Sequence, residues 1–203
     1  MKYIKMLGLA AVAAMALMAF AGTASATELY KLQTGAGPAT LGKGTVIETS
    51  MTGSSKTEAS GEVLETCTGG TMKFKVSNVG SATATVSGSL EELTWSGCTR
   101  PTATISLGSL EIHHIAGTTN GTVTGRATEW TINGIFGTSC AYGFGAGTNL
   151  GTLQGATAPH SHATLAINAV IPRVAGGFLC PSTVVWNTNY TTTAPTGLVV
   201  EAS

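Results

Sequence analysis

Aspartate is missing from this chain; all ten acidic residues are Glu. A Ser-His-Asp triad, an Asp–Asp acid pair and Asp-rich calcium loops are therefore excluded as written. Charge of either sign is scarce. Charged residues make up 10% of the sequence, against about 25% in ordinary domains, so Thr, Ser and Asn must carry solubility. No basic stripe occurs, and a nucleic-acid partner, which needs one, is not expected. G-x-S-x-G and C-x-x-C are both absent, which removes the nucleophile-elbow and zinc-ribbon readings. No long stretch sets apolar residues at helical spacing. These gaps point to a non-enzymatic chain with no cofactor. Glu standing in for Asp leaves an enzyme disfavoured, not forbidden.

What is present begins with an export signal. Lys2 and Lys5 precede an apolar run from Met6 to Ala21, and Ala24-Ser25-Ala26 forms a small-residue cleavage site. Residues 1–26 are expected to be a signal peptide cut after Ala26. The run falls short of the roughly 20 residues a membrane span needs. No Cys sits at the cut and "GLVVEAS" adds no apolar tail, so no membrane anchor is expected after cleavage. Residues 27–203 are then expected as a single secreted, extracellular domain, long enough for a substantial core. Cys67, Cys98, Cys140 and Cys180 read in that setting as two disulfides. Three pairings are possible. Cys67–Cys98 with Cys140–Cys180 is preferred, because each closes a local run of strands and stabilises by about 3–4 kcal/mol.

Short alternating runs rich in Thr, Val and Ile, broken by Gly, Asn and Ser, are an all-β signature. Strands are expected at 28–33, 45–52, 62–66, 71–78, 82–87, 90–95 and 102–107. Further strands follow at 110–116, 122–132, 135–142, 162–170, 183–192 and 198–201. Gly88-Ser89, Asn120-Gly121 and Asn133-Gly134 are expected turns, and Gly143–Pro159 is expected as a Gly-rich surface loop. The pattern predicts a two-sheet antiparallel β-sandwich, Greek-key or jelly-roll-like, with two disulfides.

The stretch "LEIHHIAGTTNGTVT" places two of the four histidines side by side. Strand neighbours point to opposite faces, so His113 and His114 cannot hold one metal without a bulge. A three-residue loop Thr119–Gly121 sets Leu110 opposite Trp130, Ile112 opposite Thr128 and His114 opposite Arg126. One face is then apolar and the other carries Glu111, His113 and Glu129, whereas a two-residue loop mixes both. His113 is expected in solvent and His114 on the core side. Glu111 and His113 share a face, as would His160 and His162 if extended. Glu and His are zinc ligands, which makes Glu111, His113, His160 and His162 the candidate metal site. Scattered surface histidines are the plainer reading.

Other stretches suggest binding. The T-x-T runs at 83–85, 102–104 and 122–124 are candidates for ice or crystal-surface recognition, though no fixed period supports them. Trp95, Trp130 and Trp186 read as core. Tyr142 and Phe144, beside the Gly-rich loop, are the candidate exposed aromatics for a ligand.

The "TASA" before the cut, "CTG" at Cys67, "LTWSGC" at Cys98, "LEIHHIAGTTNGT" and "FLCPST" at Cys180 together resemble secreted Gly/Thr-rich proteins of actinobacterial type. The resemblance spans nearly the whole chain. It implies export and carries no activity with it. The expected function is a secreted envelope or matrix protein that binds a cell-wall or extracellular glycan, or a protein. The alternatives are a metal-binding protein or metal-dependent hydrolase built on the Glu/His set, and ice or crystal binding by Thr-rich strands.

Overall fold

The computed structural model describes residues 26–202; the expected signal peptide, up to Ser25, lies outside the described residues. Strands and turns account for the regular structure, with no helix among the described residues. The chain opens with β1 (Glu28–Gln33) and β2 (Ala36–Thr40), then β3 (Val46–Ala59), β4 (Glu62–Cys67) and β5 (Gly69–Asn78). β6 (Val86–Ser96), β7 (Thr102–Ser106) and β8 (Ser109–His114) follow. After them come β9 (Gly121–Arg126), β10 (Thr128–Ile135), β11 (Thr138–Phe144) and β12 (Thr148–Gln154). The last three are β13 (Thr164–Ala175), β14 (Thr183–Ala194) and β15 (Leu198–Glu201).

Period-two patterning dictates the strands. In β14, Val184, Trp186, Thr188, Tyr190 and Thr192 are buried while Asn187, Asn189 and Thr193 are exposed. In β13, Leu165, Ile167, Ala169 and Ile171 point inward against them. The β-branched and aromatic residues of these strands favour an extended, half-buried backbone.

The sheet runs β12-β9-β8-β6-β5-β3-β14-β13, and β12 also pairs with β13. That last pairing closes it into an eight-strand antiparallel barrel and overturns the expected sandwich. The reason lies in β12, which falls inside the stretch expected as a surface loop. Without it the sheet has two free edges and must pack against another sheet; with it both edges are consumed. Gly151 makes the closure possible. Its φ is +150°, and a Cβ there would stand 1.9 Å from the Ala166 carbonyl oxygen across the seam.

Other boundaries move for local reasons. Gly88 is no turn: β6 runs straight through it, because the Phe74 ring occupies the space a Cβ would take. The turn expected at Asn133-Gly134 lies instead at Phe136-Gly137, with Gly134 forming a bulge in β10. The expected strand 122–132 breaks at Ala127, whose φ is +55°, and its second half joins another sheet. The His113–His114 register is therefore corrected: β8 pairs with β9 through Ile112↔Val123 and His114↔Gly121, and never with β10. The loop spans 115–120 because it is tied elsewhere. Asn120 Oδ1 accepts from Gly155 N at 2.9 Å, and the Thr119 carbonyl accepts from Val200 N at 3.0 Å. Alternation survives the shift: Ile112 faces the lumen, and Glu111 and His113 face outward.

The lumen is a core. Its residual apolar void is about 40 Å³, bordered by Ile47, Phe74, Leu110, Leu165 and Leu198, so side chains fill the barrel as expected at eight strands. The outer face carries Lys73, Lys75, Asn187 and Asn189, the reverse of a lipid-spanning barrel. A three-strand sheet β15-β1-β2 caps one end, with Leu198, Val199 and Val200 fully buried. At the other end β13 continues into a sheet of β11, β10 and β7. There Trp130 meets Trp186 at 5.4 Å and Trp95 at 5.8 Å between ring centres, and the Trp186 indole donates to Ser55 Oγ at 3.0 Å. The disulfides are Cys67–Cys98 and Cys140–Cys180, as the sequence suggested. They fit an oxidising, extracellular setting.

Candidate binding site: a cleft between hairpin tips

Three hairpins of the far end gather their tips around one cleft. Ser60-Gly61 turns β3 into β4, and Phe136-Gly137 turns β10 into β11. Residues 176–182 turn β13 into β14. The cleft, about 460 Å³, is lined by Ser60, Glu62, Phe136, Arg173, Phe178 and Ser182 among others. Phe136 is 61% exposed and Phe178 92% exposed, with Val63 and Leu179 also open to solvent.

The local backbone argues that this display is built. Ser60-Gly61 and Phe136-Gly137 each place two residues at positive φ, the geometry of tight two-residue hairpins. Asn or Asp normally precedes Gly there. Phe136 at φ 46° accepts both the left-handed cost of a bulky side chain and the exposure of a phenyl ring. The 176–182 loop is braced. Arg173 Nη1 donates to the Gly177 carbonyl at 2.8 Å and to the Cys180 carbonyl at 2.5 Å. Cys180 N donates to Gly177 O at 3.0 Å, and the Cys140 disulfide pins the loop's end. Phe178 and Leu179 are thus held out by a loop that has little entropy left to lose on binding.

The residues singled out from sequence sit elsewhere. Tyr142 and Phe144, expected as exposed aromatics, are buried in the core. They lie on β11, whose even-numbered side chains face Trp130, and the supposed loop beside them is β11 and β12. Glu111 and His113 do meet, with 3.8 Å between His113 Nε2 and a Glu111 oxygen. His160 instead bonds Thr34 Oγ1 at 3.3 Å, and His162 Nδ1 bonds the Thr192 carbonyl at 2.5 Å. The four are not brought within ligand distance of one another. The Thr runs do not form the array expected of them, since Thr83 lies in the turn before β6. A hydroxyl row does cross the outer wall, Thr94↔Thr71↔Ser50↔Thr191↔Thr164. It spans five of the eight barrel strands, roughly half the circumference, so it bends away from any flat lattice.

One buried acid follows the cleft-lining Leu64 in the chain. Glu65 on β4 accepts a hydrogen bond from the Thr102 hydroxyl. Burial pushes its carboxyl from 4.5 up to about 7, and Arg100 pulls it back down. The folded chain therefore binds this proton more tightly than the unfolded chain does. Stability is expected to fall as pH rises from about 4.5 to about 7 and to level off above. Glu65→Gln removes the charge and with it the decline. Thermal melts should show the variant more stable than the parent by about 2 kcal/mol at pH 8, allowing for solvent screening, with no gain at pH 4.

Comparison with known proteins returns no match: no family model, no curated protein and no solved structure aligns with this chain.

Proposed function

We propose that the protein is a secreted, non-enzymatic module that binds an extracellular or cell-wall glycan in the cleft between its hairpin tips. The observation that carries this reading is the pair of exposed phenyl rings, Phe136 and Phe178, on braced turns around a cleft that also holds Ser60, Glu62, Arg173 and Ser182. The C–H face of a sugar ring lies favourably on the negative face of an aromatic ring. Hydroxyl, carboxylate and guanidinium groups on the rim supply the hydrogen bonds that orient it. The disulfides agree with such a role, as does the signal peptide expected from the sequence.

Retention on insoluble peptidoglycan, chitin, cellulose and mannan tests it. The parent chain should be held by at least one of them. Phe178→Ser should lower retention at least about tenfold, the loss of one well-packed aromatic contact. Phe136→Asn should lower retention too while raising the melting temperature, because Asn-Gly suits the turn and Phe does not. Retention by none of the four, or an undiminished Phe178→Ser variant, rejects the reading.

A further inference from the structure

The two disulfides differ in their surroundings. Cys140 and Cys180 are 0% and 3% exposed, so both sulfurs are sealed in. Cys67 is 1% exposed, but its partner Cys98 is partly open to solvent. A carboxylate oxygen of Glu65 and the sulfurs of Cys67 and Cys98 all lie within 4.8 Å of one another. Both sulfurs are spent in the bond between them, so the trio is no metal centre. It has instead the parts of a thiol-exchange site: one cysteine partly open to solvent, one buried cysteine and a buried acid close to both sulfurs.

We propose that Cys98 is a site of thiol–disulfide exchange, in which a small or protein thiol bonds to its Sγ while Glu65 supplies the proton taken up by Cys67. The incoming thiolate attacks Cys98 Sγ, forming a new S–S bond as the Cys67–Cys98 bond breaks. The electron pair of the broken bond passes to Cys67 Sγ, which takes the proton from the Glu65 carboxyl. The products are a mixed disulfide at Cys98, a Cys67 thiol and a Glu65 carboxylate, with one negative charge on each side. Closure reverses each step. Both features matter to the rate. A leaving sulfur departs faster when it need not remain a thiolate in an apolar site. The attacked sulfur must also be reachable, and Cys98 is the one cysteine of the four that is not buried.

The charged group facing Glu65 is Arg100, whose Nε donates to the Leu64 carbonyl at 2.6 Å and whose Nη1 donates to the Gly134 carbonyl at 2.6 Å. Thr57, opposite Glu65 on β3, and Thr102 on β7 are neutral. Lys56 and Glu58 flank Thr57 along β3. Arg100 also stabilises the carboxylate left after proton transfer. Near neutral pH, burial keeps a good part of Glu65 in the acid form, ready to act.

The test uses the oxidised full chain with glutathione, acid quenching and mass-spectrometric mapping. Glutathione is expected on Cys98 alone, with Cys140–Cys180 intact. The rate per glutathione thiolate should fall as pH rises through about 7. Glu65→Gln should be slower at pH 6.5 by at least about tenfold and lose that pH profile, and Glu65→Asp should recover part of both. Adducts on Cys67, equal opening of both disulfides, no adduct at all, or a Glu65→Gln rate equal to the parent at every pH would overturn the proposal. The parent's own pH profile decides the matter if the glutamine variant does not fold.

Discussion

Gly151→Ala is expected to destabilise the protein by about 3–5 kcal/mol, the sum of a left-side backbone strain and an overpacked contact. The site sits on the seam that turns a sheet into a barrel, where Gly151↔Ile167 and Thr152↔Ala166 are paired. An added methyl carbon would stand 1.9 Å from the Ala166 carbonyl oxygen and 3.1 Å from the Ile167 Cα. Neither neighbour is the free end of a flexible side chain, so relief requires the seam to open. The melting temperature should drop by roughly 10 °C or more at this chain length. Gly145→Ala is the control. A Cβ there meets nothing within 4 Å, and its effect should stay within about 0.5 kcal/mol. Equal melts for the two variants would mean that β12 does not close the barrel.

Removing Cys140–Cys180 as a pair of alanines should cost about 4 kcal/mol, the chain-entropy value for the 40-residue separation it closes. The stability loss is only part of the expected result. Cys180 lies in the loop that displays Phe178 and Leu179, and without the disulfide that loop would be held only by hydrogen bonds, from Arg173 to the Gly177 and Cys180 carbonyls and from the residue-180 amide to the Gly177 carbonyl among them. The binding face would keep every ring and lose its fixed geometry. Glycan retention should therefore weaken at a temperature where circular dichroism still reports the native β spectrum. Unchanged retention in the folded variant would separate the disulfide from the cleft and leave it a purely structural staple.

Much of the strand set was legible because one rule governs it. In β13 and β14 the alternation of inward apolar and outward polar residues is nearly unbroken, and β1 and β15 fall where their Val, Leu and Tyr content puts them. The disulfide pairing followed from local closure. The architecture was not legible, and a single segment explains why. β12 reads "TNLGTLQ", with two apolar side chains and a central Gly, so its signal is that of a loop. Its strand character comes from the two neighbours it bridges, a non-local cause that no window of sequence contains. The cleft was hidden for a related reason. Phe136 and Phe178 belong to hairpins far apart in the chain, and only the pairings of β3 with β14, β14 with β13 and β13 with β11 set them around one opening. A faint signal existed in each: a phenylalanine directly before the glycine of a tight turn, and another after Gly176-Gly177 where polar residues are usual. Tyr142 and Phe144 drew attention instead because Gly neighbours resemble a loop, although Gly125 and Gly143 are there to let strands and rings approach closely.

The pairing of β1 with β15 sets Glu28 beside Glu201, at the opposite end of β14 from the Phe178 loop. The described chain thus starts and stops at a single pole, and its aromatic tips occupy the other. A few flexible residues would suffice to join the two ends, and a circular permutant reopened in the loop at 115–120 would retain the cleft untouched. A label, bead or fusion partner fastened at either end would hang behind the molecule, leaving the rings pointed toward whatever they meet.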